Sequence, residues 1–138
     1  MFVKTASAQT CSITAFEMNK TTITIKELAF YAYHGVLEEE AKLGQRFKLD
    51  LSLKLADGLS FEQDTTDTTV NYAEVIEVVE QCFTGSRYHL IERAAEVICE
   101  TLLARFERIA EVTVVVKKPS APVDCIFECV AVEVSQCR

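Results

Sequence analysis

One lysine in this sequence stands at the end of a run of alternating valines. The alternation of Val112, Val114 and Val116 predicts a strand, and the same period places Lys118 on its apolar face. Burying a cation there is costly because desolvation disfavours the charged form, so Lys118 is a candidate proton shuttle near neutral pH. The position is also compatible with a lysine that extends its ammonium group past the strand end into water.

Two further polar residues open predicted helices. Tyr72 follows the turn-forming segment 67–71, where its hydroxyl could face a cleft or simply belong to the surface. Glu92 lies in the first turn of the second predicted helix, where a carboxylate complements the helix dipole. It could also accept two parallel N–H bonds from a planar, amidine-like ligand edge, beside the backbone groups of Leu90 and Ile91.

Glu40 ends an acidic run, residues 38–40, on the long loop predicted between the first two strands. Such runs usually form a solvated face, so Glu40 becomes interesting only if its side chain turns inward. The sequence has no phosphate-binding glycine loop, dinucleotide-binding glycine motif or serine-nucleophile elbow. With only His34 and His89 as histidines, a catalytic zinc site is not expected.

The composition predicts one globular domain. The chain has 138 residues, 49% of them hydrophobic, which suffices for one ordinary core. Its net charge of −7 argues against nucleic-acid binding, and no apolar run approaches the length of a membrane span. Six cysteines without a C-x-x-C pair or a secretory signal favour reduced, mostly buried thiols in a cytoplasmic protein. Residues 1–20 are predicted as a loose leader before a single domain at 21–138.

The pattern beyond the leader predicts an α+β domain of order β-β-α-α-β-β. Residues 22–33 are β-branched and aromatic, with a phase change near Lys26 that indicates a bulge, and residues 47–55 alternate as a half-buried strand. The elements predicted next are a helix at 71–85 with Asn71 and Glu74 as a capping box, a helix at 90–108, and strands at 111–118 and 126–135. This order predicts a four-stranded antiparallel sheet with both helices on one face, whose open edges favour an oligomer.

Several short motifs lie in a fixed order along residues 22–135. They are Phe30-Tyr31-x-Tyr33-His34-Gly35-Val36, Glu40, Gly44-Gln45-x-Phe47, Val70-x-Tyr72-x-Glu74, Leu90-Ile91-Glu92-x-x-Ala95-Glu96 and Lys118-Pro119-x-x-Pro122. Together they resemble the dihydroneopterin aldolase family. The resemblance implies the tunnelling fold, which has the same element order and assembles into an oligomeric β-barrel.

The resemblance also implies a reaction of folate biosynthesis, the retro-aldol cleavage of 7,8-dihydroneopterin into 6-hydroxymethyl-7,8-dihydropterin and glycolaldehyde. No cofactor, metal or lysine Schiff base is implied, because the N5=C6 imine of the substrate accepts the electrons and the enzyme supplies positioning and proton transfer. The implied roles are acid/base catalysis for Lys118, proton transfer for Tyr72, orientation of the lysine and the glycerol side chain for Glu40, and pterin anchoring for Glu92 with main-chain groups of Leu90 and Ile91.

The family's pocket lies between subunits, in tetrameric rings that stack into octamers, so Tyr72 would come from a different chain than Glu92. Two positions depart from common family residues: Asn71, where many relatives have histidine or serine, and Ile91, where leucine is common. Two alternatives remain open. One is a 2′-epimerase of dihydroneopterin or its triphosphate, an activity also expected as a side reaction. The other is a non-catalytic pterin-binding oligomer, which could do without Lys118 or Tyr72.

Overall fold

The computed structural model describes residues 19–138. Its elements in chain order are β1 (Thr22–Ala32), α1 (Glu38–Leu43), β2 (Gln45–Leu55), a 3₁₀ turn (Thr66–Thr68), α2 (Tyr72–Thr84), α3 (Ile91–Arg105), β3 (Ile109–Lys118) and β4 (Val130–Cys137). Most of the predicted leader, with Cys11, lies outside the described residues.

The four strands form one antiparallel sheet in the order β1-β2-β3-β4, as predicted. Helix α3 packs on β3 and β4, while α2 packs on α3 and β1, so the helices cover the face onto which the central strands point their apolar side chains. The inward residues of β2 and β3 are almost completely buried: Phe47, Leu49, Leu51, Leu53, Leu55, Ile109, Val112, Val114 and Val116. The predicted α+β architecture is confirmed.

A bulge in β1 lies at the predicted phase change. The pairing with β2 shifts between Ile25 and Leu28, and Glu27 adopts a left-handed backbone with φ 58°. The Glu27 N–H donates to Asp50 Oδ1 at 2.8 Å, which holds this conformation. Because side chains alternate along a strand, the extra residue lets Leu28 and the following apolar residues keep facing the core.

Several local predictions need correction. Strand β4, predicted at 126–135, spans Val130–Cys137. The segment between β1 and β2 is not all loop but contains α1, a helix too short to be stable in isolation. Helix α3 ends at Arg105 rather than at residue 108, where Arg138 donates to the carbonyls of Leu103 and Phe106. Asn71 does cap α2 by accepting the Ala73 N–H at 3.0 Å, but among the described residues Glu74 makes no return bond.

The prediction of mostly buried cysteines is wrong for the described part of the chain. Of the five cysteines there, all with free thiols, only Cys99 is buried, whereas Cys125 and Cys137 are exposed. Burial raises the pKa of the Cys99 thiol to about 11, so this residue packs as a small apolar side chain. Between residues 19 and 138, no helix is long and apolar enough to cross a membrane.

Candidate active site

A buried ion pair lies where β3 ends. Lys118 keeps the strand alternation and points its side chain to the helix-covered face, where the residue is only 9% exposed. Its Nζ contacts Oε2 of Glu40 on α1, a residue that is 7% exposed. The third glutamate of the acidic run therefore turns inward, and its partner is the lysine that the strand period singles out.

The Glu40 carboxylate has a full set of donors. Beside Lys118, the Leu37 N–H donates to Oε1 at 3.2 Å and Gln45 Nε2 donates to Oε2 at 3.0 Å. Desolvation raises the pKa of the Glu40 carboxyl, but the bonds from Lys118, Leu37 and Gln45 outweigh it, so the net pKa lies below the ordinary value. The site thus holds a carboxylate and an ammonium group in direct contact, out of bulk water.

Gly35 makes room for this carboxylate. Its backbone has φ 139°, which L side chains rarely adopt, and a Cβ atom there would lie 2.3 Å from Cδ and Oε1 of Glu40. Any side chain at position 35 would therefore displace the carboxyl from Lys118.

A buried histidine joins the chain around Gly35 to the segment that precedes α3. His34 is 0% exposed, its Nδ1 accepts the Tyr88 N–H at 3.0 Å, and its Nε2 lies 2.8 Å from the Phe83 carbonyl oxygen. Since Nδ1 accepts, the neutral ring carries its proton on Nε2 and donates it to Phe83. The Gly35 N–H adds a bond to the Tyr88 carbonyl at 3.0 Å.

Burial lowers the pKa of His34, and the positive charges of Arg87 and Lys118 lower it further, although the Phe83 carbonyl opposes this. The neutral imidazole is therefore part of the scaffold that positions the site. From the sequence, His34 was considered as a metal ligand and as part of the Tyr33-His34-Gly35 motif, but not as a buried scaffold residue. Its position directly before Gly35, at the end of a predicted strand, was the sequence feature that could have indicated a structural role.

Glu92 and its neighbours open α3 at the same end of the domain. The segment that leads into α3 is bonded to the chain around the ion pair: Tyr88 makes hydrogen bonds with His34 and Gly35, and Gly35 lies against the Glu40 carboxylate. Glu92 is exposed, Leu90 is 55% exposed and the Ile91 side chain is buried. The Leu90 carbonyl already accepts the N–H groups of Arg93 and Ala94. The main-chain groups left for a ligand are therefore the N–H groups of the first turn.

Tyr72 lies at the other end of the helical layer. It opens α2, which runs antiparallel to α3 and is about 20 Å long at 1.5 Å per residue. The preceding Asn71 lines the same cleft as Arg105 and Phe106, at the C-terminal end of α3. Tyr72 is 63% exposed. One chain thus brings Lys118 and Glu40 together but keeps Tyr72 apart from them.

Among residues 19–138, no group of three or more His, Cys, Asp or Glu side chains is arranged to hold a metal ion. The chemistry that this arrangement can perform is proton transfer by the Lys118–Glu40 pair. Hydrogen bonding at the exposed start of α3 could hold a ligand nearby.

Comparison with known proteins identifies the family. A family model described as FolB, dihydroneopterin aldolase, matches residues 23–135. The dihydroneopterin aldolase of Methylorubrum extorquens is 41% identical over 84% of this chain and 89% of its own length. The corresponding values for the Bacillus subtilis enzyme are 38%, 83% and 95%. The crystal structure of Escherichia coli dihydroneopterin aldolase in complex with neopterin superposes with a TM-score of 0.72 at 26% identity, over 84% of this chain and 98% of that one. The chain belongs to the dihydroneopterin aldolase family.

Proposed function

We propose that this protein cleaves 7,8-dihydroneopterin into 6-hydroxymethyl-7,8-dihydropterin and glycolaldehyde. Family membership supports the reaction, and one observation carries it to these residues: the segment leading into Glu92 is hydrogen-bonded to the chain that surrounds the buried Lys118–Glu40 pair. The Glu92 carboxylate would accept hydrogen bonds from the 2-amino and N3–H groups of the pterin ring, and the free N–H groups at the start of α3 would donate to the neighbouring 4-oxo group. Free thiols throughout the described residues are compatible with the proposed cytoplasmic location.

The reaction needs only proton transfer from the protein. As the C1′–C2′ bond breaks, the 2′-hydroxyl loses its proton and becomes the aldehyde, while the electron pair flows through C6 to N5. The Lys118 ammonium group would donate a proton to N5 and take up the proton of the 2′-hydroxyl through ordered water. Tyr72 would assist the protonation of C1′ while N5 gives up its proton and the N5=C6 imine forms again, so no net proton is consumed. Glu40 would orient both Lys118 and the hydroxylated side chain.

The site would be completed by a second subunit. Because Tyr72 lies about one helix length from the start of α3, the Tyr72 that acts beside Lys118 would be Tyr72 of the partner subunit. The two sheet edges, β1 and β4, offer unpaired backbone groups for ring closure. We propose tetrameric rings that stack into octamers.

Product analysis tests the reaction and its alternatives. Metal-free protein is incubated with 7,8-dihydroneopterin, and the products are separated by chromatography. 6-Hydroxymethyl-7,8-dihydropterin together with glycolaldehyde supports the aldolase. The 2′-epimer alone would identify an epimerase, and both product types together would mean that the cleavage is reversible before release. Tight pterin binding without any product would identify a non-catalytic binder.

Substitution of Lys118 tests its role. Lys118→Met should abolish turnover and leave pterin affinity within about tenfold, since a proton shuttle acts mainly in the transition state. Lys117→Met is the matched control, because Lys117 points to the opposite face of the sheet and pairs there with Asp50 and Glu27. Retained turnover in Lys118→Met would exclude Lys118 as the shuttle.

Mixed oligomers test whether the site is shared between subunits. Tyr72→Phe and Glu92→Ala are each expected to be impaired, the second because it loses a charged hydrogen bond to the pterin. Unfolding and refolding the two variants together at equal amounts should restore about a quarter of the wild-type activity, because random pairing reunites an intact Tyr72 and an intact Glu92 at that frequency. A mixture no more active than its components would mean that both residues serve a site within one chain.

A further inference from the structure

Gln45 is the first residue of β2 and contacts the ion pair through only one end of its side-chain amide. Its Nε2 donates to Oε2 of Glu40, whose lowered pKa keeps the carboxyl ionised. An ionised carboxylate has no proton to give, so the amide nitrogen must face Glu40 and the amide oxygen must point away. The orientation of the amide is thereby fixed by its neighbour.

The amide oxygen has no partner within the protein. Oε1 of Gln45 is the one buried side-chain nitrogen or oxygen atom without a hydrogen bond among residues 19–138. An unsatisfied buried acceptor destabilises a folded protein by about 1–3 kcal/mol, and such groups in native structures call for an explanation. This acceptor lies next to the Lys118–Glu40 pair, in the site proposed for catalysis.

The charges around this oxygen determine which groups can bind to it. The neighbouring carboxylate of Glu40 disfavours a second anion, and an amide oxygen only accepts, so the missing partner must be a neutral or cationic donor. The proposed substrate carries hydroxyl groups on the substituent at C6, next to the bond that Lys118 helps to break. We infer that Gln45 is a substrate-specificity residue whose Oε1 accepts a hydrogen bond from a hydroxyl of the polyhydroxylated side chain.

This inference rests on the proposed function and adds a basis for selectivity. Glu92 and the start of α3 would recognise the ring that all pterins share, while Gln45 would recognise the hydroxylated substituent at C6. A site with an acceptor built for a hydroxyl discriminates against ligands that lack it, because the acceptor then stays buried and unpaired. Pterins with a plain alkyl group at C6 should therefore bind more weakly than neopterin.

A cycle of two ligands and two proteins tests the inference by calorimetry. Neopterin carries the hydroxylated side chain and 6-methylpterin does not. Gln45→Met, which keeps the length but not the acceptor, should weaken neopterin binding by about 3- to 10-fold, as expected for loss of one neutral hydrogen bond. Its effect on 6-methylpterin should be less than about 2-fold. The difference between the two ligands measures the coupling between Gln45 and the hydroxylated side chain of neopterin. Gln45→Asn, which withdraws the same oxygen by one methylene group, should give the same pattern.

Arg46→Met, at the next and exposed position, is the control and should change neither affinity. An equal loss for both ligands in the Gln45 variants would overturn the inference, since Gln45 would then act only by holding Glu40. Unchanged neopterin affinity would also overturn it and leave a trapped water as the partner of Oε1. Should wild-type protein bind neither pterin, the proposed function itself fails; if it binds both equally, only the inference fails.

Discussion

Removing the Lys118 ammonium group is expected to destabilise the fold in a pH-dependent way. In Lys118→Met, the buried carboxyl of Glu40 keeps only the donors from Leu37 and Gln45. Because desolvation is then no longer opposed by Lys118, the pKa of Glu40 should rise. Removing one member of a buried ion pair typically costs about 3–5 kcal/mol.

Proton uptake by Glu40 limits this loss. Protonating a carboxyl of ordinary pKa 4.5 at pH 7 costs about 3.4 kcal/mol, at about 1.36 kcal/mol per pH unit. We therefore expect Lys118→Met to lose about 3 kcal/mol of unfolding free energy at pH 7. In the wild type, the lowered pKa of Glu40 contributes stability above pH 4.5 that is lost on acidification, whereas the variant regains stability as Glu40 is protonated. The difference between the two proteins should shrink toward pH 5.

Urea unfolding at pH 7.5 and pH 5.0 measures both the size and the pH dependence. Protein concentration must be held constant, because subunit association adds to apparent stability. Lys117→Met is again the control: its Nζ lies 2.7 Å from Asp50 and 3.1 Å from Glu27, but these groups are partly exposed, so its removal should cost much less than the removal of Lys118. The reasoning is refuted if Lys118→Met costs no more than Lys117→Met, or if its cost is the same at both pH values.

Three further predictions follow from single contacts. Because burial lowers the pKa of His34 below its ordinary 6.5, the unfolded chain binds a proton that the folded chain does not, and stability should fall below pH 6.5. Denaturant titrations should find this fall reduced in His34→Gln but kept in the exposed-site variant His89→Gln. Gly35→Ala should lose about 2 kcal/mol of stability and most turnover, since the new Cβ displaces Glu40; unchanged kinetics would contradict this. Arg138→Met removes the hydrogen bonds that Arg138 donates to carbonyls within and just after the last turn of α3. Calorimetry should find a loss of about 1–2 kcal/mol of unfolding free energy, and an unchanged Tm would exclude Arg138 as a cap of this helix.

The sequence by itself determined the architecture, because apolar side chains repeat with the period of the element that buries them. Alternation in β2 and β3 placed Phe47 and Val116 in the core and put Lys118 on the same face, and the phase change in β1 marked the bulge at Glu27. Asn71 marked the start of α2 and Gly85 its end. These signals are local, so each could be interpreted without knowing what lies across the sheet.

Only the tertiary structure decided which polar groups meet. A run of three glutamates does not reveal that Glu40 is the one turned inward, since that depends on Lys118 reaching it from a strand 78 positions away in the chain. Helix α1 exists because of such contacts, and α3 ends early where Arg138, from the far end of the chain, binds its last carbonyls. The placement of His34 between Phe83 and Tyr88, and the unpaired oxygen of Gln45, likewise arise between distant segments. Burial and hydrogen bonding of polar groups depend on partners that periodicity does not encode, so the sequence predicts the fold more completely than the site.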